Sequence, residues 1–262
     1  MDGVPTPDRN HGTDRVPEAL HCLWHIGSDS AHLGNEKRPD HHCHQLRSQR
    51  CNFFRFPLRH RGGSAELYSR FDGRIHPSTR MIVGGNGGSM ALFSFFDKVP
   101  IIGEGSWVAP GAQIIGDVRI GKRCWIGPSA ILRGDFGTID IGDETAVEDG
   151  VVIHTPSSIT IGCRVVIGHL AMIHNRSIGD YSVIGMNSTL GDNAQIGSWV
   201  IIAEHSLVKK NQIVPDNRLF AGVPAQDKGE LTAAHRDYML VGKQMYDNLV
   251  DQYLQGVREL EP

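Results

Sequence analysis

The sequence predicts a mainly β protein: a left-handed parallel β-helix with a C-terminal α-helix packed on its flank and a disordered N-terminal extension. Three observations support this: a six-residue repeat of branched aliphatic residues, a helical spacing of apolar residues near the end of the chain, and the lack of either pattern in the first 89 residues. We therefore divide the chain into residues 1–89, 90–209 and 210–262.

The six-residue repeat begins near residue 101 and continues to about residue 209. The repeated aliphatic residues are Ile102, Val108, Ile114, Ile120, Ile126, Leu132, Ile141, Val147, Ile153, Ile161, Ile167, Ile173, Ile184, Leu190, Ile196, Ile202 and Val208. The residue after each of them is often glycine. An α-helix cannot use this period, because its apolar side chains would point in all directions. Three short strands that each bury one aliphatic residue and turn at a glycine form one coil. Such coils stack as parallel strands about 4.8 Å apart, and we expect about six of them. Their left-handed winding is an exception to the usual crossover rule.

The C-terminal zone turns helical after an irregular stretch. Thr232 is a suitable N-cap, and apolar residues then recur at intervals of three or four, at Tyr238, Val241, Met245, Leu249 and Tyr253. This spacing predicts a helix from about residue 232 to residue 258, with one apolar face that covers the flank of the β-helix.

The N-terminal zone has neither period, and Pro and Gly interrupt each of its short apolar runs. We expect residues 1–89 to be disordered. Its His and Cys spacings match no standard structural zinc site. One hypothesis is that residues 1–89 do not belong to the natural protein, which would start at Met90 or, as a second choice, at Met81, because the codons of Gly84-Gly85 and Gly87-Gly88 just upstream could contain a ribosome-binding stretch.

Composition narrows the classes of function. A net charge of -3 gives no reason to expect a nucleic acid as partner. No apolar run is long enough for a membrane span, and no secretory signal opens the chain. Five cysteines without framework spacing suit a reducing compartment. These observations predict a cytoplasmic protein.

Three of the four histidines in the repeat occupy related positions. His154 and His174 each directly follow an inward isoleucine, so they occupy equivalent places one coil apart, where two imidazoles can converge on one metal ion. His169 lies on the preceding side of the coil and reaches the same ion only from a neighbouring subunit. The spacing therefore predicts a homotrimer with shared metal sites, whereas His205 lies off this corner.

Residues 95–255 resemble the γ-class carbonic anhydrase family. The matching segments are Arg133-Gly134-Asp135, the run from Val147 to His154, the run from Gly168 to His174, and Ala221-Gly222-Val223-Pro224-Ala225. The resemblance implies a homotrimer with Zn²⁺, or alternatively Fe²⁺ or Co²⁺, held by His154, His169 and His174. It also implies reversible hydration of CO2 to bicarbonate by metal-bound hydroxide, with Arg133 and Asp135 as an interfacial pair beside the metal. Three neutral ligands and an open position lower the pKa of bound water to about 7.

The chain departs from the family pattern where active members carry out proton transfer. Phe136, Ala146 and Glu148 stand where the family has Glu, Asn and Gln, and the acidic loop after His154 is reduced to residues 155–158. Glu148 is our candidate replacement, as the carboxylate that accepts a proton from metal-bound water. Without such a replacement we expect weak activity or none.

Two alternatives stay open. A hexapeptide-repeat acyl- or acetyltransferase would use the same coil, with one histidine as general base and usually a long loop excursion that this sequence lacks. A trimeric scaffold would keep the metal in a purely structural role. Binding of coenzyme A distinguishes the first alternative, and metal-loaded protein without hydration activity distinguishes the second.

Overall fold

The structure is a computed structural model that describes residues 91–258 and residue 260. These residues form a parallel β-solenoid of about seven turns followed by one α-helix, which confirms the predicted fold class in its main features. The predictions for residues 1–89 and for a start at Met90 or Met81 lie outside the described residues.

The solenoid has three faces of short strands. The first face consists of Ala91–Phe93, the first halves of Gln113–Ile120 and Ile131–Ile141, then Val152–Ile153, Met172–Ile173, Thr189–Leu190 and Leu207–Val208. The second face consists of Ile101–Ile102, the second halves of the same two long strands, then Ile159–Ile161, Ser177–Ile178, Gln195–Ile196 and Ile213–Val214. The third face consists of Trp107–Val108, Trp125–Ile126, Ala146–Val147, Val166–Ile167, Val183–Ile184, Ile201–Ile202, Arg218–Ala221 and Gln226–Glu230.

Neighbouring strands on each face are parallel, except that Gln226–Glu230 pairs antiparallel with Arg218–Ala221 and ends the third face. The repeated aliphatic residues point inward, and residues such as Ile153, Ile173 and Leu190 are completely buried. Parallel pairing continues to Phe220, beyond the limit at residue 209 that the repeat predicted. The extra strands explain why the solenoid has about one more turn than expected.

The glycines of the repeat are needed mainly because neighbouring coils approach closely there, and less because the backbone adopts unusual angles. A Cβ on Gly162 would lie 2.3 Å from Oδ1 and 2.6 Å from the backbone nitrogen of Asp180 on the next coil. The left-handed corner conformation, in contrast, is often taken by residues with side chains, such as Arg164 with φ 55° and Tyr181 with φ 60°. Of the two predicted roles of glycine, the close approach between coils is therefore more important than the tolerance of a positive φ.

The C-terminal helix, α1, runs from Ala233 to Gly256. Its predicted N-cap is present, because the Thr232 hydroxyl accepts a hydrogen bond from the backbone N–H of His235 and the His235 ring accepts one from the backbone of Thr232. Helix α1 packs on the third face, where Tyr253 lies 4.5 Å from Trp107 between ring centroids. Within the described residues, neither α1 nor any other helix has the length and apolarity for a membrane span.

The buried stripe of α1 agrees with the predicted one at Leu249 and Tyr253, which pack on the third face, but differs from it nearer the start of the helix. Val241 and Met245 are more than half exposed, whereas Met239, Lys243 and Val250 are buried. The true stripe is centred on positions 239, 243, 246, 250 and 253. The sequence did not indicate this stripe because Lys243, a charged residue, lies in its middle, and apolarity alone favoured Val241 and Met245.

Candidate metal site

His154 and His174 lie side by side on the first face. Each follows the strand that ends in its inward isoleucine, and the two strands pair in register, with Ile153 opposite Ile173. The backbone N–H of His154 donates to the carbonyl of Ile173 at 3.1 Å. The two imidazole centroids are 5.7 Å apart, and the ring planes are tilted by 55°.

Asp135 links His154 to Arg133. One oxygen of Asp135 is 3.0 Å from Nε2 of His154, and the other accepts a hydrogen bond from Arg133 at 2.5 Å. Partial burial acts to raise the pKa of Asp135, but hydrogen bonds from Arg133, the backbone N–H of Phe136 and His154 outweigh it, so the pKa lies below its ordinary value. Asp135 is therefore a carboxylate that holds the His154 ring in place.

Asp192 has the same relation to His174. Its Oδ1 is 2.5 Å from Nδ1 of His174, and its Oδ2 is 3.7 Å from Nζ of Lys210. The hydrogen bond from His174 lowers the pKa of Asp192. The imidazole of His174 is thus fixed by a carboxylate from the following coil.

His169 lies in the turn that follows Val166–Ile167 of the third face, whereas the other two histidines follow strands of the first face. Its Nε2 is 3.1 Å from Oε2 of Glu148, and its Nδ1 is 3.2 Å from Oδ2 of Asp149. The side chain is 42% exposed, so it is accessible to a neighbouring molecule. Within residues 91–258 and 260, no three His, Cys, Asp or Glu side chains are grouped so that one chain could hold a metal ion.

Glu148 is buried between His169 and α1. Its Oε2 accepts the backbone N–H of His169 at 2.9 Å, and its Oε1 accepts the hydroxyl of Tyr246. Burial, together with the charge and hydrogen bond of Glu148, raises the pKa of Tyr246. Tyr246 therefore remains a donor that ties α1 to the wall that carries His169.

The chemistry of the paired histidines fits a divalent transition metal. An ionised carboxylate only accepts hydrogen bonds, so the ring nitrogen that faces it carries the proton of a neutral imidazole. The carboxylates face Nε2 of His154 and Nδ1 of His174, so in the neutral rings these are the nitrogens suited to donate. Each ring keeps one nitrogen with a lone pair, which is the donor that Zn²⁺, Fe²⁺ and Co²⁺ accept.

Two residues at the site were not predicted from the sequence. Asp192 lies 18 residues after His174, one more than the 17 residues that separate the paired Ile173 and Leu190, so strict register points to Gly191 instead. Tyr246 was hidden because the predicted stripe placed its neighbour Met245 on the buried side of α1, where the structure exposes it.

Comparisons with known proteins agree with this architecture. The family model described as bacterial transferase hexapeptide (six repeats) matches residues 100–134 and 177–210. The carnitine operon protein CaiE of Citrobacter koseri is 31% identical over 175 residues, which cover 66% of this chain and 89% of CaiE. The chain belongs to the hexapeptide-repeat family.

Within this hexapeptide-repeat family the relatives include γ carbonic anhydrases, which confirms the resemblance noted from the sequence. γ carbonic anhydrase 1, mitochondrial, of Arabidopsis thaliana is 32% identical over 170 residues, 62% of each protein. The chain thus spans about three fifths of the length of γ carbonic anhydrases 1 and 2 of A. thaliana. The predicted cytoplasmic location stays a prediction, since these relatives are named as mitochondrial.

Solved structures of the hexapeptide-repeat family include proteins with transferase names. A hexapeptide transferase family protein from Anaplasma phagocytophilum is 32% identical, with a TM-score of 0.60, over 62% of this chain and 98% of that one. A putative acetyltransferase from Bacillus cereus is 30% identical, with a TM-score of 0.54, over 63% of this chain and 96% of that one.

Proposed function

We propose that this protein is a γ-carbonic-anhydrase-like metalloprotein that reversibly hydrates CO2 to bicarbonate at the interfaces of a homotrimer. The observation that carries the proposal is the pairing of His154 and His174, whose ring centroids are 5.7 Å apart on adjacent coils. His169 of a neighbouring subunit supplies the third ligand, after one of its ring nitrogens is released from Glu148 or Asp149. Three neutral imidazoles in this arrangement match the ligand set of a catalytic Zn²⁺ site, and Fe²⁺ or Co²⁺ suits the same donors.

The residues around the site have separate roles. When bound, Zn²⁺ supplies Lewis acidity that brings the pKa of water close to neutrality. Asp135 orients His154 and is itself held by Arg133, so this pair fixes one side of the site. Because Arg133 is 42% exposed beside Asp135, its guanidinium is also available to a bicarbonate anion or to a neighbouring subunit.

Glu148 is the proposed proton acceptor. Its carboxylate is next to the third ligand, with Oε2 3.1 Å from Nε2 of His169. Both oxygens already accept hydrogen bonds from Tyr246 and the His169 backbone, so Glu148 uses its remaining lone pairs for this step. Glu148→Gln should reduce CO2 hydration in weakly buffered solution, with recovery as buffer is added. Equal hydration rates for Glu148→Gln and wild type without buffer would exclude this role.

Complementation between inactive variants tests the shared site. His169→Ala and His174→Ala each remove a ligand from every site of their own trimer. A trimer that contains both variants has one interface of the three with His154 and His174 from one subunit and His169 from the other. Co-expression should therefore restore zinc binding and CO2 hydration at about one site in three of each mixed trimer.

The matched control is the pair His154→Ala and His174→Ala. Both of these ligands belong to the same subunit, so no mixture of the two variants contains a complete site. Failure of the first pair to recover zinc, in trimers shown by mass spectrometry to be mixed, would contradict a site shared between subunits. A wild-type protein that is monomeric would contradict it equally.

An acyl- or acetyltransferase is the second candidate, because the family model and the two solved relatives carry transferase names. This candidate predicts saturable binding of coenzyme A, which isothermal titration calorimetry measures. A zinc-loaded trimer that neither binds coenzyme A nor hydrates CO2 would favour the non-catalytic scaffold.

A further inference from the structure

We propose that Asp192 is a positioning residue for the metal site, and that it acts by fixing the imidazole of His174 in the form that leaves Nε2 unprotonated. Lys210, one coil further along, holds the Asp192 carboxylate from the other side. The proposal rests on the function above only in taking His174 as a metal ligand.

The register of the coils explains why Asp192 reaches His174. Ile173 pairs with Leu190, so the residue directly above His174 is Gly191. Because Gly191 has no side chain, the carboxylate of the next residue, Asp192, lies over the imidazole with a 2.5 Å contact to Nδ1. A side chain at position 191 is excluded, because its Cβ would lie 2.8 Å from the backbone nitrogen of Lys210.

The next coil continues the same column. Leu190 pairs with Val208, which places Lys210 in register with Asp192, and its Nζ is 3.7 Å from the second carboxylate oxygen. Lys210 is 65% exposed, so it is a weaker contact than the one to His174. His174, Asp192 and Lys210 therefore form a chain of contacts in which the carboxylate lies between the imidazole and the exposed ammonium group.

The consequence for His174 follows from hydrogen-bond chemistry. Asp192 accepts and cannot donate when ionised, so it selects the imidazole form with the proton on Nδ1. A ligating histidine that donates its other N–H to a carboxylate has a fixed ring orientation and greater basicity, and loss of such a partner typically weakens metal binding by about 10–100-fold. We expect a loss in this range for Asp192→Ala.

Two measurements on the full-length protein test the assignment. The first is ¹⁵N–¹H correlation of the histidine rings without metal, with the His174 signals assigned by His174→Gln. Wild type should show the Nδ1-protonated form of His174, and Asp192→Ala should show the Nε2-protonated form or a mixture. The second is zinc affinity by competition with a chelator, which should fall about 10–100-fold in Asp192→Ala.

Two further variants complete the design. Asp192→Asn keeps the shape but removes the charge, so its zinc affinity should lie between wild type and Asp192→Ala, and it serves if the alanine variant does not fold. Asp227→Asn is the matched control, because this carboxylate pairs with Arg218 and not with a histidine. It should leave both readouts unchanged.

The outcomes separate this inference from the proposed function. An unchanged His174 ring form in Asp192→Ala overturns the positioning role, and so does unchanged zinc affinity when wild type binds zinc. If wild type binds no zinc, the proposed function fails, and the ring form alone decides whether Asp192 orients His174.

Discussion

Replacing Lys243 by methionine should raise the stability of the protein at neutral pH. Lys243 lies on the buried stripe of α1 and is 3% exposed, and its Nζ has no hydrogen-bond partner among the described residues. Burial, with a smaller contribution from the positive charge of Arg164, lowers its pKa from 10.5 to about 7. Methionine has a similar length and no charge, so it removes the unfavourable group with little change in packing.

The magnitude follows from the pKa. One pKa unit corresponds to about 1.4 kcal/mol, so keeping this ammonium charged in the folded state costs roughly 5 kcal/mol more than in water. At pH 7 about half of the buried groups are already neutral, which reduces the cost to roughly 4 kcal/mol. Because methionine leaves the volume of the terminal amine partly unfilled, we expect a net gain of about 2–4 kcal/mol.

The sign of the pH dependence provides a second test. Between about pH 7 and pH 10.5 the folded protein binds fewer protons at Lys243 than the unfolded chain does, so this residue makes stability rise with pH across that window. Lys243→Met should remove the rise. Urea denaturation of wild type and variant at pH 7 and pH 9.5 measures both effects, with the exposed Lys228→Met as control. A variant less stable than wild type at pH 7, or one that keeps the same rise with pH, would refute the reasoning.

Three further predictions concern packing, helix capping and a buried hydrogen bond, and each is measured by thermal or urea unfolding. Gly162→Ala should destabilise the protein by about 1–3 kcal/mol or more, because the new Cβ would lie 2.3 Å from Oδ1 of Asp180. Gly242→Ala, in open space on α1, should instead stabilise the protein by about 0.5–1 kcal/mol. Similar effects at both positions would contradict the argument that Gly162 is required for close approach of the coils. Thr232→Ala should cost about 1 kcal/mol by removing the N-cap, and Thr232→Ser should cost much less; equal losses would argue against a capping role. Tyr246→Phe should cost about 1–3 kcal/mol, because the buried carboxylate of Glu148 loses a donor, and no loss would mean that water replaces the hydroxyl.

Much of the fold could be predicted because the repeat encodes it redundantly. Each inward residue, such as Ile153 or Ile173, meets the same steric requirement, so a wrong assignment at one coil does not change the predicted fold. The helix was predictable for a different reason: Thr232 and the later apolar spacing mark its start and its extent. Its buried stripe was not, because Lys243 is an ionisable residue at a core position, and hydropathy alone assigns such a residue to the surface.

The site was predictable to the extent that it depends on register. His154 and His174 follow inward residues of adjacent coils, and the spacing placed them together. Asp192 was less visible because Leu190 follows Ile173 by 17 residues rather than 18, so the carboxylate reaches His174 from the position after Gly191. Tyr246 depends on the packing of α1, which the repeat does not encode.

His154 and His174 each face a carboxylate of their own chain with one ring nitrogen, and this pattern favours a metal site over ordinary surface histidines. Asp135 faces His154 and Asp192 faces His174. Both ring nitrogens of His169 face carboxylates, those of Glu148 and Asp149, so one of these two contacts must open before His169 can bind a metal. His235 provides the contrast, because its ring binds a backbone N–H at the start of α1 and so has a structural role already. Carboxylates behind imidazoles orient the rings and add negative charge that a divalent cation offsets. If none of the variants that remove one of these carboxylates changed zinc affinity, the contacts with the histidines would be only surface ion pairs.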